Sequence, residues 1–261
     1  LKISRIIFYD EPSVPEINLD NLIQFTHKTI GILPEKRRSI LTYSNIETLK
    51  EIAASRIFKL SKPYKKHIPT IEEIEFEKKN VIDTSANQNI TYYDGFELQN
   101  ALGKTIPKNE LGENIFHVIF TNKFTCTYDH NDYRYHGRAL IASNPSIIST
   151  TGIIEAPAKP REYYIELITK SRQGVNLDTL KEKYKGTFLE YHDSRLSKIV
   201  EGYFLQALFF YETAQPFCDD KECRLYNAHW QKDLLYSQLE TEGICKRHKE
   251  ILEKIRIKTN S

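Results

Sequence analysis

Residues 218–248 read Cys218-Asp-Asp-Lys-Glu-Cys223, then a polar stretch through Arg224-Leu-Tyr-Asn-Ala-His229-Trp230, and finally Cys245-Lys-Arg-His248. Two thiols five positions apart, followed by a thiol and an imidazole three apart, make the soft donor set that suits a tetrahedral zinc ion. The whole chain holds four cysteines, and three of them fall in this one stretch. An odd number of thiols beside a histidine argues against a disulfide framework. The spacing predicts one structural zinc per chain, bound by Cys218, Cys223, Cys245 and His248. Such a site uses all four positions on the metal and leaves none open for catalysis, so the stretch speaks first to folding.

Immediately upstream, residues 194–212 carry Leu196, Ile199, Val200, Tyr203, Phe204, Ala207, Leu208 and Tyr211. That is a continuous i, i+3, i+4 stripe and predicts a long helix with one whole face buried. Shorter helices are expected over 161–171 and 176–185. The opposite end of the chain alternates differently. Ile3 to Tyr9 is β-branched and aromatic and predicts a buried strand; it does not resemble a signal peptide. A helix follows from Leu19, ending near Gly31 and Pro34. Ser39 to Tyr43 predicts a short strand. Ser44 or Asn45 can cap a helix through about Phe58. Strand, helix, strand, helix is the alternation that builds a layered sheet.

Lys59 to Asn89 is a run of mixed charge, including Glu72-Glu-Ile-Glu-Phe-Glu77 and the polar Asp83-to-Asn89 segment, and reads as a solvated surface insertion. Asp94 to Ala101 fits a short helix, and Ile115 to Thr121 a central strand, apolar nearly throughout. Cys126 to His136 reads as a polar loop, leading to a strand over Arg138 to Ala142, a turn at Asn144-Pro145 and a strand at Ser146 to Thr150. Gly137 and Gly152 read as turn markers. The fold class expected is α+β, with an α/β-like N-terminal part, a mixed sheet with packed helices and a zinc-tied C-terminal segment. Without a clean linker, the chain is expected to form one domain over 1–261.

At 261 residues with a net charge of +2, the chain has no electrostatic case for nucleic acid or an anionic membrane as its main partner. No apolar run approaches the roughly 20 residues of a membrane span, and the few cysteines fit a reducing cytoplasm. The tail bearing Lys246, Arg247, Lys249, Lys254, Arg256 and Lys258 is basic, which is the one argument for a zinc-ribbon-like nucleic-acid module. The acidic Asp219-Asp-Lys-Glu222 in the same knuckle opposes it.

A long helix, a cysteine, a second cysteine five residues on, and a further ligand pair about twenty residues later resemble the archaemetzincin family of zinc metallopeptidases. The segment Cys-Arg-Leu-Tyr-Asn-Ala-His-Trp over 223–230 also resembles an uncharacterised archaeal branch of metallopeptidase-like proteins. In the archaemetzincin pattern the helix carries HExxHxxGxxHC, and its last cysteine opens a second, structural zinc site. Cys218, Cys223 and Cys245 match that site, with His248 in place of its final cysteine. The resemblance implies a metzincin-like fold and zinc. Its catalytic part falls on residues 207–218, where Ala207, Tyr211 and Phe217 stand at the three histidine positions, Leu208 at the general base and Ala214 at the glycine. Two imidazoles one turn apart and a carboxylate are what such chemistry needs, and all are missing. The expectation is a pseudo-peptidase that keeps the structural zinc.

The resemblance further implies an edge strand able to take an extended peptide by backbone pairing. The residues expected to line that groove are Tyr133, Tyr135 and His136, beside the Arg138–Ser143 strand, with an extended peptide or a small polar ligand as the occupant. The alternative is an active zinc hydrolase whose metal site has moved to Tyr128–His136, where His130 with Asp129 or Asp132, and His136, offer ligands or an acid–base pair. His229 is expected to support the zinc ligands from behind, and Cys126 to be a buried, unreactive thiol.

Overall fold

Alternation along one strand sets the layers. In β1 (Arg5–Tyr9) Ile6 and Phe8 enter one core, while Ile7 and Tyr9 enter the other. The computed structural model describes residues 3–63, 67–79, 90–241 and 243–259. After β1 come α1 (Leu19–Ile30), β2 (Glu35–Arg37), α2 (Ile46–Ala54), α3 (Ile71–Lys79), β3 (Tyr92–Asp94) and α4 (Gly95–Gly103). The middle of the chain forms β4 (Ile115–Thr121), β5 (Phe124–Asp129), β6 (Arg134–Arg138), β7 (Leu140–Ile141) and β8 (Ser146–Ser149). Helices follow: α5 (Thr150–Glu155), α6 (Arg161–Arg172), α7 (Asp178–Tyr184), α8 (Leu196–Thr213), α9 (Gln231–Leu235) and α10 (Lys246–Thr259). No described helix is long and apolar enough to cross a membrane.

The main sheet runs β2-β1-β4-β8-β7; the first four strands are parallel and β7 is antiparallel to β8. All seven residues of β4 are buried, as a strand covered on both faces requires. Phe116, Val118 and Phe120 meet the side of α1 and α8, while Ile115 and Ile119 meet the side of α2 and α4. Asn18 caps α1, accepting from the Asn21 amide at 3.0 Å, and Gly31 ends it at φ 81°. Asn45 caps α2, accepting from the Thr48 amide at 2.9 Å. The mixed sheet with packed helices follows the sequence reading.

Four expectations are corrected. The strand expected over Ser39–Tyr43 is a 3-10 turn over Ile40–Tyr43, and the second strand is the charged Glu35–Arg37. Ile40 and Leu41 are consecutive and both enter the same core, which a strand's alternation forbids. At the sheet edge, β2 needs no apolar face. Its charges pair instead, Arg5 with Glu35 at 2.8 Å and Arg37 with Glu110 at 2.7 Å. The Cys126–His136 loop is a hairpin, β5 paired with β6, in a small sheet of order β3-β5-β6. The strand expected over Arg138–Ala142 breaks at Ala139, so its first part belongs to the small sheet and Leu140–Ile141 to the large one. Gly152 marks a close approach and not a turn, since a Cβ there would lie 2.1 Å from the Arg138 carbonyl oxygen.

The charge run is likewise more than a solvated insertion. The Asp83–Asn89 segment lies outside the described residues, but α3 docks through Glu77, which is fully buried. The Glu77 carboxylate accepts from Lys123 Nζ at 2.5 Å, from Arg56 at 2.5 Å and from Tyr93 Oη at 2.8 Å. Burial alone would raise the Glu77 pKa, but attraction to Lys123 and Arg56 outweighs it and holds the carboxyl below its ordinary value. A depressed folded pKa contributes stability that is present above the unfolded carboxylate range. That stability is lost as pH falls through the lower, folded value. Glu77→Leu strands a buried ammonium, and we expect it to cost about 3–5 kcal/mol in urea unfolding. Adding Lys123→Met to it should recover part of that loss.

Candidate metal centre

Helix α8 ends where the donor set begins. Its C-cap, Ala214, takes the left-handed conformation (φ 58°, ψ 15°) and donates its amide to the Phe210 carbonyl at 2.7 Å. The chain then turns so that Cys218 and Cys223 sit on one compact loop. The Cys218 amide donates to Leu225 O at 2.9 Å, and the Tyr226 amide to Cys223 O at 2.8 Å. Asp220 shapes the tip, accepting from the Glu222 amide at 3.0 Å. Cys245 precedes α10, and His248 lies in the first turn of that helix. The three-residue separation puts thiol and imidazole on one face.

These four residues come together. Their ligand atoms all lie within 4.8 Å of one another. Cys218 Sγ is 3.9 Å from Cys245 Sγ, and Cys223 Sγ is 3.7 Å from His248 Nδ1. A tetrahedron with ordinary zinc–sulfur and zinc–nitrogen bonds has S–S and S–N edges of about 3.8 and 3.6 Å. Both separations therefore fit. The Cys245 Sγ to His248 Nδ1 separation of 3.0 Å is shorter and would open when a cation enters. The Cys245 amide points at Cys223 Sγ at 3.4 Å, a donor that favours a thiolate. Burial pushes the Cys223 thiol up to about 12, raises that of Cys218 and lowers the His248 pKa. Neutral pH thus leaves the imidazole free to ligate but keeps these thiols protonated unless a cation offsets their burial.

The body grips this loop from below. Leu205 and Phe209 of α8 pack with Cys223 and Leu225 in a small apolar core, and the Phe209 ring meets His248 edge-on at 5.2 Å. The buried Arg224 guanidinium donates to Glu201 at 3.0 Å and to the Lys198 carbonyl at 2.6 Å. His229, expected behind the ligands, is instead exposed, with its carbonyl accepting from the Ala158 amide at 2.8 Å. Cys126 is buried, and burial pushes its thiol up to about 12.

On α8, Ala207 and Leu208 are fully buried in the main core. Tyr211 stacks on Phe116 at 4.9 Å and donates to Glu113 O at 2.8 Å. These positions hold a packing face.

Tyr133, Tyr135 and His136 do not line one groove. Successive β6 residues point to opposite faces. Tyr135 turns inward and donates to Asp94 at 2.8 Å, beside a cavity of about 560 Å3 bounded also by Arg56, Phe58 and Glu97. His136 turns outward, 2.8 Å from Asp132. Tyr133 stands exposed in the hairpin turn at φ 57°. The hairpin does gather a second donor group, Asp129, Asp132 and His136, within 4.8 Å of one another. The sequence offers these residues together with His130, which is not in the group. The buried Glu77–Lys123–Arg56 network leaves no such signal, because Glu77 stands in a run of like charges.

Ala214 tests the cap geometry. A left-handed conformation favours glycine, and Ala214→Gly should raise stability by about 0.5–1 kcal/mol in thermal unfolding.

A family model described as "Probable metallopeptidase family (DUF6775)" matches residues 2–255. No curated protein and no solved structure matches the chain.

Proposed function

The chain belongs to this probable metallopeptidase family, and from that premise we propose that it is a zinc-binding pseudo-peptidase. Its single metal is structural, held by Cys218, Cys223, Cys245 and His248, and the catalytic metal of an archaemetzincin-like ancestor is gone. The observation that carries this reading is the pairing of two neighbouring features. Four soft donors stand at near-tetrahedral separations at the end of α8, while Ala207 and Leu208 of the same helix are buried in the core. Bound there, zinc would supply no open position; it would fix the Cys218–Cys223 loop against the start of α10. Three reduced thiols fit a reducing compartment such as the cytoplasm.

We expect elemental analysis of protein purified without chelator to find one zinc per chain, and Cys223→Ser to lose it. Ligation energy in such sites is largely folding energy. Limited proteolysis of the chelated protein should therefore cut after residue 214 before it cuts the sheet. Zinc-free protein that keeps the same proteolytic pattern would overturn the structural role.

Of the two occupants expected at the hairpin, a small polar ligand has the better support, because Tyr135 and Asp94 border a cavity. An extended peptide has less to pair with. The edge strand β7 has two residues, and Ile141 O already accepts from Gln99 Nε2 at 3.2 Å. Titration with an unstructured peptide, followed by amide shifts of Leu140 and Ile141, tests the peptide role, and unmoved signals remove it.

One observation favours a second reading, an active hydrolase with its metal at the hairpin: the convergence of Asp129, Asp132 and His136. Stoichiometry separates the two. The pseudo-peptidase should bind one zinc and hydrolyse no peptide. Two metals per chain, with chelator-sensitive hydrolysis that survives Cys223→Ser and falls with His136→Ala, would establish the second.

A further inference from the structure

A cavity of about 470 Å3 opens between α1 and α10, beside the Cys/His cluster. Its floor is apolar: Leu205 is buried, and Phe25, Ile244 and Leu252 are half-buried around it. Its rim is basic. Lys28 comes from α1, and Lys249 and Arg256, about two turns apart, from α10; all three are exposed. Among the described residues none of these three forms an ion pair. The other two cations in the lining, Lys198 and Arg224, share the single carboxylate of Glu201, at 2.6 and 3.0 Å, and are therefore only partly offset. Glu253 is the one carboxylate in the lining.

The whole chain carries only +2, so this concentration of positive charge is local. The larger cavity beside Tyr135 differs in kind. Its charges are mixed, and Lys104 there is paired with Glu51 at 2.6 Å. A flat basic patch would suit a polyanion such as nucleic acid. Cations around an apolar hollow suit a small molecule with both properties. The volume lies within the range of ordinary ligand sites, roughly 300–1,000 Å3.

We propose that this cavity binds a small amphipathic anion, with its apolar body against Phe25, Leu205, Ile244 and Leu252 and its carboxylate or phosphate head among Lys28, Lys249 and Arg256. The apolar floor supplies affinity through buried area, and the rim charges attract and orient the head. The basic residues of α10 thereby gain a role other than nucleic-acid contact. The site needs no metal chemistry, so the proposal stands apart from the pseudo-peptidase reading.

Calorimetry on the full chain tests it with four probes: octyl phosphate, octanoate, 1-octanol and inorganic phosphate. We expect saturable binding of one amphipathic anion per chain, with octyl phosphate and octanoate ranked by the preferred head. Octanol and inorganic phosphate should each bind at least tenfold more weakly. Lys28→Glu with Lys249→Glu should weaken the preferred anion at least tenfold, and Arg256→Gln by a smaller factor. These side chains are exposed, and far-UV circular dichroism checks that the variants stay folded; should the double variant fail to fold, Arg256→Gln carries the test. The proposal is overturned by no saturable binding up to roughly 1 mM, the edge of useful affinity. It is equally overturned if octanol or inorganic phosphate matches the anion, or if the rim substitutions leave affinity unchanged.

Discussion

Phe204 meets Phe8 of the central sheet edge-to-face at 5.3 Å, and Phe209, farther along the same helix, meets His248 edge-to-face at 5.2 Å. Both contacts belong to α8, which is buried without a break from Ile199 to Phe209. A helix enclosed on all sides needs cover on all sides. The sheet and α1 cover one, and the Cys218–Leu225 loop with α10 covers another. The two cores share this helix, so loss of the C-terminal cover would expose Leu205 and Phe209 to water. Burying side chains of this size contributes about 1.5–3 kcal/mol each. The loop that supplies this cover carries Cys218 and Cys223, two of the four residues that could hold a metal ion.

Polar groups fix where the cover sits. Glu201 on α8 accepts from both Lys198 and Arg224, and Gln206 donates to Tyr226 O at 3.2 Å. Gly202 between them lets Gln238 approach so closely that a Cβ would stand 1.8 Å from its Oε1. Gln238 in turn donates to Arg224 O at 2.7 Å. Apolar contact makes the C-terminal segment adhere, and these directional bonds specify one register for it. The cavity lined by Phe25 and Leu252 is what remains between α1 and α10 once that register is set.

How much of this was legible depended on whether a residue's partners were local. The stripe on α8, the apolar β4 and the asparagine caps of α1 and α2 declare themselves through spacing a few residues long. So did the donor set, because the chemistry of thiols and imidazole three to five residues apart is itself local. What was missed rests on distant partners. The charged strand β2 is held by Arg5 and by Glu110, more than seventy residues away. Glu77 looks like any member of a charge run until Lys123 and Arg56 are brought to it. Tyr135 and His136 are neighbours in sequence, yet strand geometry sends them to opposite faces, so a shared groove was not available to them.

The buried face of α8 also bears on what the helix can do. A metal-dependent hydrolase needs that face turned to a cleft, with imidazoles and a carboxylate reaching solvent and substrate. Here Ala207 and Leu208 lie fully buried against the sheet, and Tyr211 closes over Phe116. A carboxylate at 208 would be buried without a cation, which costs several kcal/mol unless it is neutralised. An imidazole at 207 would have to displace packed side chains from a core that tolerates little extra volume, and one at 211 would give up the stack of Tyr211 on Phe116. On the reading proposed above, the helix has therefore exchanged one role for another. On that reading, positions that could serve a metal in a hydrolase hold the sheet here, and the neighbouring thiols and imidazole would hold the helix's far side. Restoring the first role by substitution alone would undo the packing on which the second depends.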